Sequence, residues 1–301
     1  MGVRGLVIRR KILGYFFLLP IMTLLAVLMF YPIINSVIMS FTNWSGFTKN
    51  FDFIGLRNYE RLLTHQLDAP EYWKAMWVNV RFALISTTIQ TVLGFFLGVM
   101  LINLGRRWQS FFKVTLYMPV ILPAAIVSVI WRIIYTPDFG LLNQFLRMVG
   151  LSSWTRAWIA DRSYALGAVI AANTWRYVGF TAVLYYVSML DIGSEMIESS
   201  MMDGCSYAQR IRYFYFPLTR GATEINFVLS VTGGLRAFDM FYLLTSGGPG
   251  TATKVVGMLI RETAFTNFKF GRALAMSVVL FLVVVLVMLV SRALLVPRED
   301  K

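Results

Sequence analysis

The amino-acid sequence predicts an all-α membrane protein: six transmembrane helices in a single domain spanning residues 1–301. Three observations predict it. Apolar residues make up 57% of the chain and charged residues only 14%, where a soluble domain carries roughly 25% charged. The mean hydropathy is +0.65, so the chain cannot cover itself with a water-compatible surface. The apolar residues also gather into runs long enough to cross a bilayer core, which takes about 20 helical residues.

The first run, 12–39, contains no charge. Its basic start (Arg4, Arg9, Arg10 and Lys11) fits a signal peptide, but the run is too long for one and no small-x-small cleavage site follows, so it is read as an uncleaved helix. Residues 40–78 come next, with Trp44, Phe47, Phe51, Phe53, Tyr59, Tyr72, Trp73 and Trp77. Aromatics at that density belong to an interfacial belt or to short helices on the membrane surface. The second span, 82–105, is uncharged, and the third, 114–135, is uncharged as far as Trp131. The fourth, 163–190, contains Arg176. The fifth, 223–245, has Glu224 near its start, then Arg236 and Asp239; the sixth, 273–291, is uncharged. Pro20, Pro32, Pro119 and Pro123 lie inside or at the ends of spans, where membrane helices tolerate them if neighbours satisfy the freed carbonyl groups.

An even number of spans puts both ends of the chain on one side. Segments 1–11, 104–113, 191–220 and 292–301 then share that side and carry 13 Lys and Arg in 61 positions, against 11 in 93 for the opposite segments. The denser side is the cytoplasm by the positive-inside rule, so both termini are expected there. The net charge of +13 is read the same way, as topology signal and lipid contact rather than nucleic-acid binding, because most basic residues flank apolar runs.

Cys205 is the only cysteine and His65 the only histidine. That excludes a disulfide within the chain, Cys/His metal sites and His-based triads. No Gly-x-x-x-x-Gly-Lys-[Ser/Thr] phosphate loop occurs; the nearest stretch, 247–254, lacks the Gly directly before Lys254 and any Ser or Thr after it. Any ATP hydrolysis that drives this chain belongs to another one.

The loop between the fourth and fifth spans, 191–218, is the longest cytoplasmic segment. It reads as a short helix, a turn at Gly204, and a second helix stopped before Pro217. The first helix presents the small residues Ser199 and Ser200 beside Met201 and Met202, framed by Glu198 and Asp203. Small side chains permit close backbone approach and methionines adapt to an apolar groove, so the helix suits a cleft on a soluble partner. On physical grounds alone an interfacial amphipathic connector fits as well.

The residue pattern resembles the Glu-Ala-Ala-x-x-Asp-Gly-Ala-x(8)-hydrophobic-x-x-Pro signature of importer permeases of the ATP-binding-cassette superfamily. Glu198, Asp203, Gly204 and Pro217 fall in register; Ser199 and Ser200 replace two alanines, Cys205 the third, and Ile211 stands where a Phe is common. Four further matches, in order, resemble the sugar-type, maltose-like permeases: 53–59 (Phe-Ile-Gly-Leu-Arg-Asn-Tyr), 137–143 (Pro-Asp-Phe-Gly-Leu-Leu-Asn), 244–250 (Leu-Thr-Ser-Gly-Gly-Pro-Gly), and Phe268, Gly271, Ala273, Ala275 and Ser277 entering the last span.

The resemblance implies a bacterial inner-membrane permease that forms a heterodimer with a second, similar permease. Two cytoplasmic ATPase subunits would hold the ATP and Mg²⁺, with no cofactor on this chain, and an extracytoplasmic solute-binding protein would deliver a sugar. It assigns Glu198, Ser199, Ser200, Met201, Asp203, Gly204 and Cys205 to a coupling helix that docks in the ATPase cleft.

Ionisable residues inside spans face a protein interior or a watery cavity. Asn173, Arg176, Tyr177, Tyr185, Arg236 and Asp239 are candidates for a translocation path, since sugars are held by planar hydrogen-bonding groups and aromatic faces. The structural alternative pairs Arg236 with Asp239, three apart on a helical face, and has Arg176 cap a carbonyl or reach another subunit. Two arginines in the path would also suit an anionic substrate such as a sugar acid or glycerol phosphate. An ion-coupled secondary carrier would need intramembrane carboxylates, of which Asp239 is the only deep one, and a membrane enzyme would need a convergent catalytic cluster.

Overall fold

The computed structural model describes Tyr15 and residues 17–295. The basic start (Arg4, Arg9, Arg10, Lys11), the first residues of the expected 12–39 span and the end of the chain lie outside the described residues. In chain order the main helices are α1 (Phe17–Met39), α2 (Arg57–Thr64), α3 (Asp68–Ile102), α4 (Arg106–Ile121), α5 (Ala124–Ile134), α6 (Leu141–Met148), α7 (Ala165–Leu190), α8 (Ser194–Met202), α9 (207–218), α10 (Arg220–Leu235), α11 (Asp239–Thr245), α12 (Val256–Arg261) and α13 (Phe270–Leu295). Among the described residues there is no strand, only an isolated antiparallel bridge between Thr42 and Phe53. α1, α3 and α13 are long and apolar enough to cross a membrane; counting the bent pairs α4–α5 and α10–α11 as one span each raises the number to five. α7, at 26 residues about 39 Å long, carries more polar side chains.

The chain divides into two compact units, 1–69 with 260–279 and 70–259 with 280–301. In the first, the apolar stretch of α1 buries nothing within the chain. The segment after it is pinned by Asn58, which is buried and donates through Nδ2 to the carbonyls of Ser40 (2.8 Å) and Thr42 (2.9 Å). Gly271 donates its N–H to the Trp44 carbonyl at 2.9 Å, and a Cβ there would strike Thr42 O at 2.1 Å. These bonds give the Asn58 and Gly271 positions of the sequence motifs a local structural purpose.

In the second unit α7 is the central helix. Twelve of its residues are buried, and α4 crosses it so closely that a Cβ on Gly179 would lie 1.7 Å from Leu116 O. Phe82, Val127, Val169 and Phe241 build one apolar core across α3, α5, α7 and α11; Phe95, Tyr185, Met189 and Tyr215 build another near α8 and α9.

The helix breaks have identifiable causes. α4 and α5 meet at 101°, because Leu122 precedes Pro123 and is forced into extended backbone (ψ 134°). The third expected span is thus two helices rather than one straight one. α10 and α11 meet at 52° over 236–238. Elsewhere prolines are absorbed. Before Pro32 the turn Ala26–Phe30 widens so that Tyr31 N–H reaches Ala26 O, and before Pro217 the turn Ile211–Tyr215 does the same, Phe216 N–H reaching Ile211 O. A widened turn relieves the clash of the proline ring with the carbonyl four residues back. The expectation that α9 stops before Pro217 is corrected accordingly: the helix runs through it to Leu218.

Candidate functional site

Two places hold the residues that the sequence singles out. The first is the α8–α9 connection. α8 ends in a double hydrogen-bonded cap: Cys205 N–H donates to Ser200 O (2.9 Å) and Gly204 N–H to Met201 O (3.0 Å). Such a cap requires left-handed backbone at the residue just past the helix end, and Gly204 supplies it at φ +78°. Two residues later Ser206 caps α9, its Oγ accepting from Gln209 N–H while the Gln209 side chain accepts from Ser206 N–H. Chain reversal between the helices is therefore fixed by bonds within the segment itself.

Glu198, Ser199, Met201, Met202, Asp203 and Gly204 are exposed, Met202 to 88%. Ser200 is not on that face. It is 3% exposed and donates its hydroxyl to Ile197 O at 2.6 Å. Cys205 is half-buried. Ile197 and Ile211 pack on the core of Phe95, Tyr185 and Tyr215. Burial there raises the Tyr215 hydroxyl above its ordinary pKa, with the charge of Arg210 opposing. Small and flexible apolar side chains thus project from a rigid corner.

The second place is a cavity of about 770 Å³ between α3, α4, α7, α10 and α11. Asn173, Arg176, Tyr177, Arg236 and Asp239 all line it. Tyr185 does not: eight residues beyond Tyr177 on α7, it is rotated about 80° away, buried at 1%, and its hydroxyl pairs with Thr223 Oγ1 at 2.8 Å. The sequence reading missed Ser86, Gln90, Tyr117, Phe180, Ser230 and Phe238, which also face the cavity. Its wall is polar and aromatic together.

The expected Arg236–Asp239 pair is absent among the described residues. Arg236 ends α10 and bonds Thr232 O at 3.3 Å, while Asp239 opens α11, so no single helical face carries both. Among the described residues Arg176 caps no carbonyl; its guanidinium lies 5.1 Å from the Tyr177 ring centroid, and its Nε is buried without a hydrogen-bond partner there.

Asn79 sets the break that opens this wall. Fully buried on α3, it donates to Gly234 O (3.3 Å), which also accepts from Ala237 N–H, and to Leu235 O (3.0 Å), both carbonyls at the end of α10, and accepts from Val256 N–H at the start of α12 (2.9 Å). Behind the cavity Thr181 donates to Asn226 Oδ1 (2.9 Å), and Asn226 donates to Thr91 Oγ1 (2.9 Å), tying α7, α10 and α3. Arg132 on α5 donates to Leu243 O, a carbonyl near the end of α11. The signal for Asn79, Gln90 and Asn226 was available: polar side chains inside apolar runs. Among the described residues no three His, Cys, Asp or Glu side chains gather as a metal site.

Comparison with known proteins places this architecture. The probable ABC transporter permease protein YurN of Bacillus subtilis is 35% identical over 276 residues, covering 91% of this chain and 93% of the relative. The trehalose/maltose transport system permease protein MalF of Thermococcus litoralis is 28% identical over 279 residues, covering 92% and 91%. In a crystal structure of a bacterial ABC transporter involved in the import of the acidic polysaccharide alginate, one chain superposes with a TM-score of 0.83 at 18% identity, covering 100% of both chains, and so shares the fold. The family model described as binding-protein-dependent transport system inner membrane component matches residues 90–301. The chain belongs to that family of multi-pass inner-membrane transport components.

Proposed function

We propose that this chain is the permease subunit of an ATP-driven sugar importer. The cavity is its share of the path and the α8–α9 corner its point of energy input. Family members are transport subunits and not enzymes, so the chain breaks no bond. Its part is to hold a two-state element that other subunits bias. The sugar assignment draws on the MalF relative, named for trehalose/maltose transport, and on the wall chemistry. Tyr117, Tyr177, Phe180 and Phe238 offer ring faces, and Gln90, Asn173 and Ser230 offer hydrogen bonds.

In this reading the chain crosses the membrane six times, through α1, α3, α4–α5, α7, α10–α11 and α13, with both termini cytoplasmic. A second permease completes the pore, two cytoplasmic ATPases carry the ATP and Mg²⁺, and an extracytoplasmic binding protein delivers the sugar. Closure of the ATPases pushes on Glu198, Ser199, Met201, Met202 and Asp203. Ser200 and Cys205 hold the corner, because Ser200 supplies the carbonyl that the Cys205 N–H caps. Gly204 lets the chain reverse. α8 transmits the push to α7 and α10 through the shared core of Tyr185, Tyr215 and Ala222.

One observation carries the coupling role: exposed methionines and small residues stand on a corner that its own backbone bonds make rigid. The test is co-purification with the ATPase subunits and sugar uptake in cells, comparing wild type with Met201→Lys/Met202→Lys. The substitution should abolish both while the chain still inserts in the membrane. Normal uptake would refute the docking role. Purified alone, the chain should hydrolyse no ATP.

A further inference from the structure

In the 1–69/260–279 unit, a cationic groove serves neither the cavity nor the coupling corner. Arg57 and Arg61, four apart on one face of α2, line a groove of about 310 Å³ with Lys269 and Arg272. Asn43, Asn58 and Trp44 complete the wall. Arg272 is ion-paired with Asp68, whose other oxygen lies 3.2 Å from His65 Nδ1. Even so, Arg272 Nε is buried with no hydrogen-bond partner. Arg57, Arg61 and Lys269 make no side-chain hydrogen bond or ion pair among the described residues. Glu60, also on α2, lines the shallow surface next to Arg57 and Arg61, outside this groove.

Position adds to charge. Thr42 in the groove lies just past the end of α1, and Arg272 lies in the first turn of α13. Around Phe270, Trp44 and Phe265 pack at 5.5 and 5.2 Å between ring centroids, and Phe47 meets Phe268 at 5.2 Å. Phe47 and Phe265 remain 70% and 63% exposed. Exposed aromatics where apolar helices end mark the depth of lipid headgroups. The apolar stretch of α1 running away from the groove buries nothing within the chain.

We propose that this groove binds the phosphate headgroup of an anionic phospholipid whose acyl chains lie along α1. Arginine side chains match phosphate oxygens bidentately, and the bare apolar face beside the groove suits a lipid better than a soluble acidic partner. The test uses the full chain purified with its partner subunits in neutral detergent. It is exposed to equal amounts of phosphatidylglycerol and phosphatidylcholine and read by native mass spectrometry. Wild type should retain phosphatidylglycerol about tenfold over phosphatidylcholine, and each of Arg57→Gln, Arg61→Gln and Lys269→Gln should lower that preference about fivefold or to parity. These side chains are exposed, so the single variants should keep the wild-type melting temperature. Millimolar inorganic phosphate should leave the bound lipid in place; displacement by it would assign the groove to a soluble anion and overturn the proposal. An unchanged lipid preference in the triple variant would overturn it too, and if docking of the binding protein were lost at the same time, the groove would belong to an acidic protein surface.

Discussion

The α8–α9 corner and the α10–α11 break are both places where the chain changes direction, yet they are held in opposite ways. At the corner the bonds that cap both helices join residues at most five apart: Cys205 to Ser200, Gly204 to Met201, Gln209 to Ser206. Asn103 Nδ2 also donates to the Tyr207 hydroxyl from beyond α3, at 3.3 Å. At the break the fixing side chain is Asn79, 155 residues from Gly234 and 177 from Val256 along the chain. A corner built locally can move as one piece when pushed. A break built across helices changes shape when those helices shift, which is what a gated cavity needs. On the proposed function, the difference separates a lever from the element that it moves.

Removing Asn79 should break this contrast most severely. Asn79→Leu leaves the Leu235 carbonyl and the Val256 N–H buried and unpaired, Gly234 O keeping its bond from Ala237 N–H, at about 1–3 kcal/mol each in general and less where a membrane interior offers other partners. A loss of about 3 kcal/mol is expected, read as a lower unfolding temperature in detergent and reduced accumulation of the chain. Stability within 0.5 kcal/mol of wild type would mean that the break is held by something other than Asn79.

Gly204→Val should act at the corner with a smaller effect on stability. No atom lies within 4 Å of the position where its Cβ would stand, so the strain comes from the φ of +78° alone, about 1–2 kcal/mol for a residue with a side chain. Membrane insertion should survive while uptake and ATPase association are lost. Gly204→Asn, which tolerates left-handed backbone, should recover much of both. Equal defects in the two variants would shift the cause from backbone to side-chain bulk.

This division also governs how much the sequence tells. The corner is legible because glycine turn chemistry acts over a few residues, and Glu198, Asp203 and Gly204 stand in register with a known signature. What escapes is which face of α8 turns inward: Ser200 is buried because Ile197 and the core around Phe95 and Tyr185 choose that face. Pro217 is misleading for a related reason, since a widened turn upstream absorbs it. The mostly helical class and the long apolar helices follow from hydropathy alone. Arg236 and Asp239 read as neighbours on one face because nothing between them, neither Gly nor Pro, announces a break that Asn79 imposes from another helix. That Asn173, Arg176 and Tyr177 share a cavity wall follows from helical spacing on α7; that Gln90 and Ser230 join them depends on how α3 and α10 pack.

Ser206→Ala sharpens the local side of the comparison. It removes one half of the capping box at the start of α9, for about 1 kcal/mol, and touches no bond of the cavity. Sugar affinity should stay unchanged while ATPase association weakens slightly, and Ser206→Asp should restore it. A change in substrate affinity with normal ATPase association would show that corner and cavity are not mechanically separable.

Arg176→Gln should have the smallest effect on stability and is the most informative about the cavity. The guanidinium has an aromatic face beside it and no hydrogen-bond or ion-pair partner among the described residues, so its removal leaves nothing unpaired. Unfolding should shift by less than about 0.5 kcal/mol. If the charge instead meets the passing sugar, the loss appears in transport: a hydrogen bond to a charged group is worth about 1.5–3 kcal/mol, enough to raise the apparent KM about tenfold or more at unchanged protein level. Uptake of neutral and anionic sugars should be compared in the same cells. A larger penalty for the anionic sugar would mean that Arg176 recognises charge, equal penalties that it donates to hydroxyls, and no change in either that it only shapes the wall beside Tyr177. Because stability is expected to hold in all three cases, the readout separates contact with substrate from support of the fold, which the same experiment on Asn79 could not do.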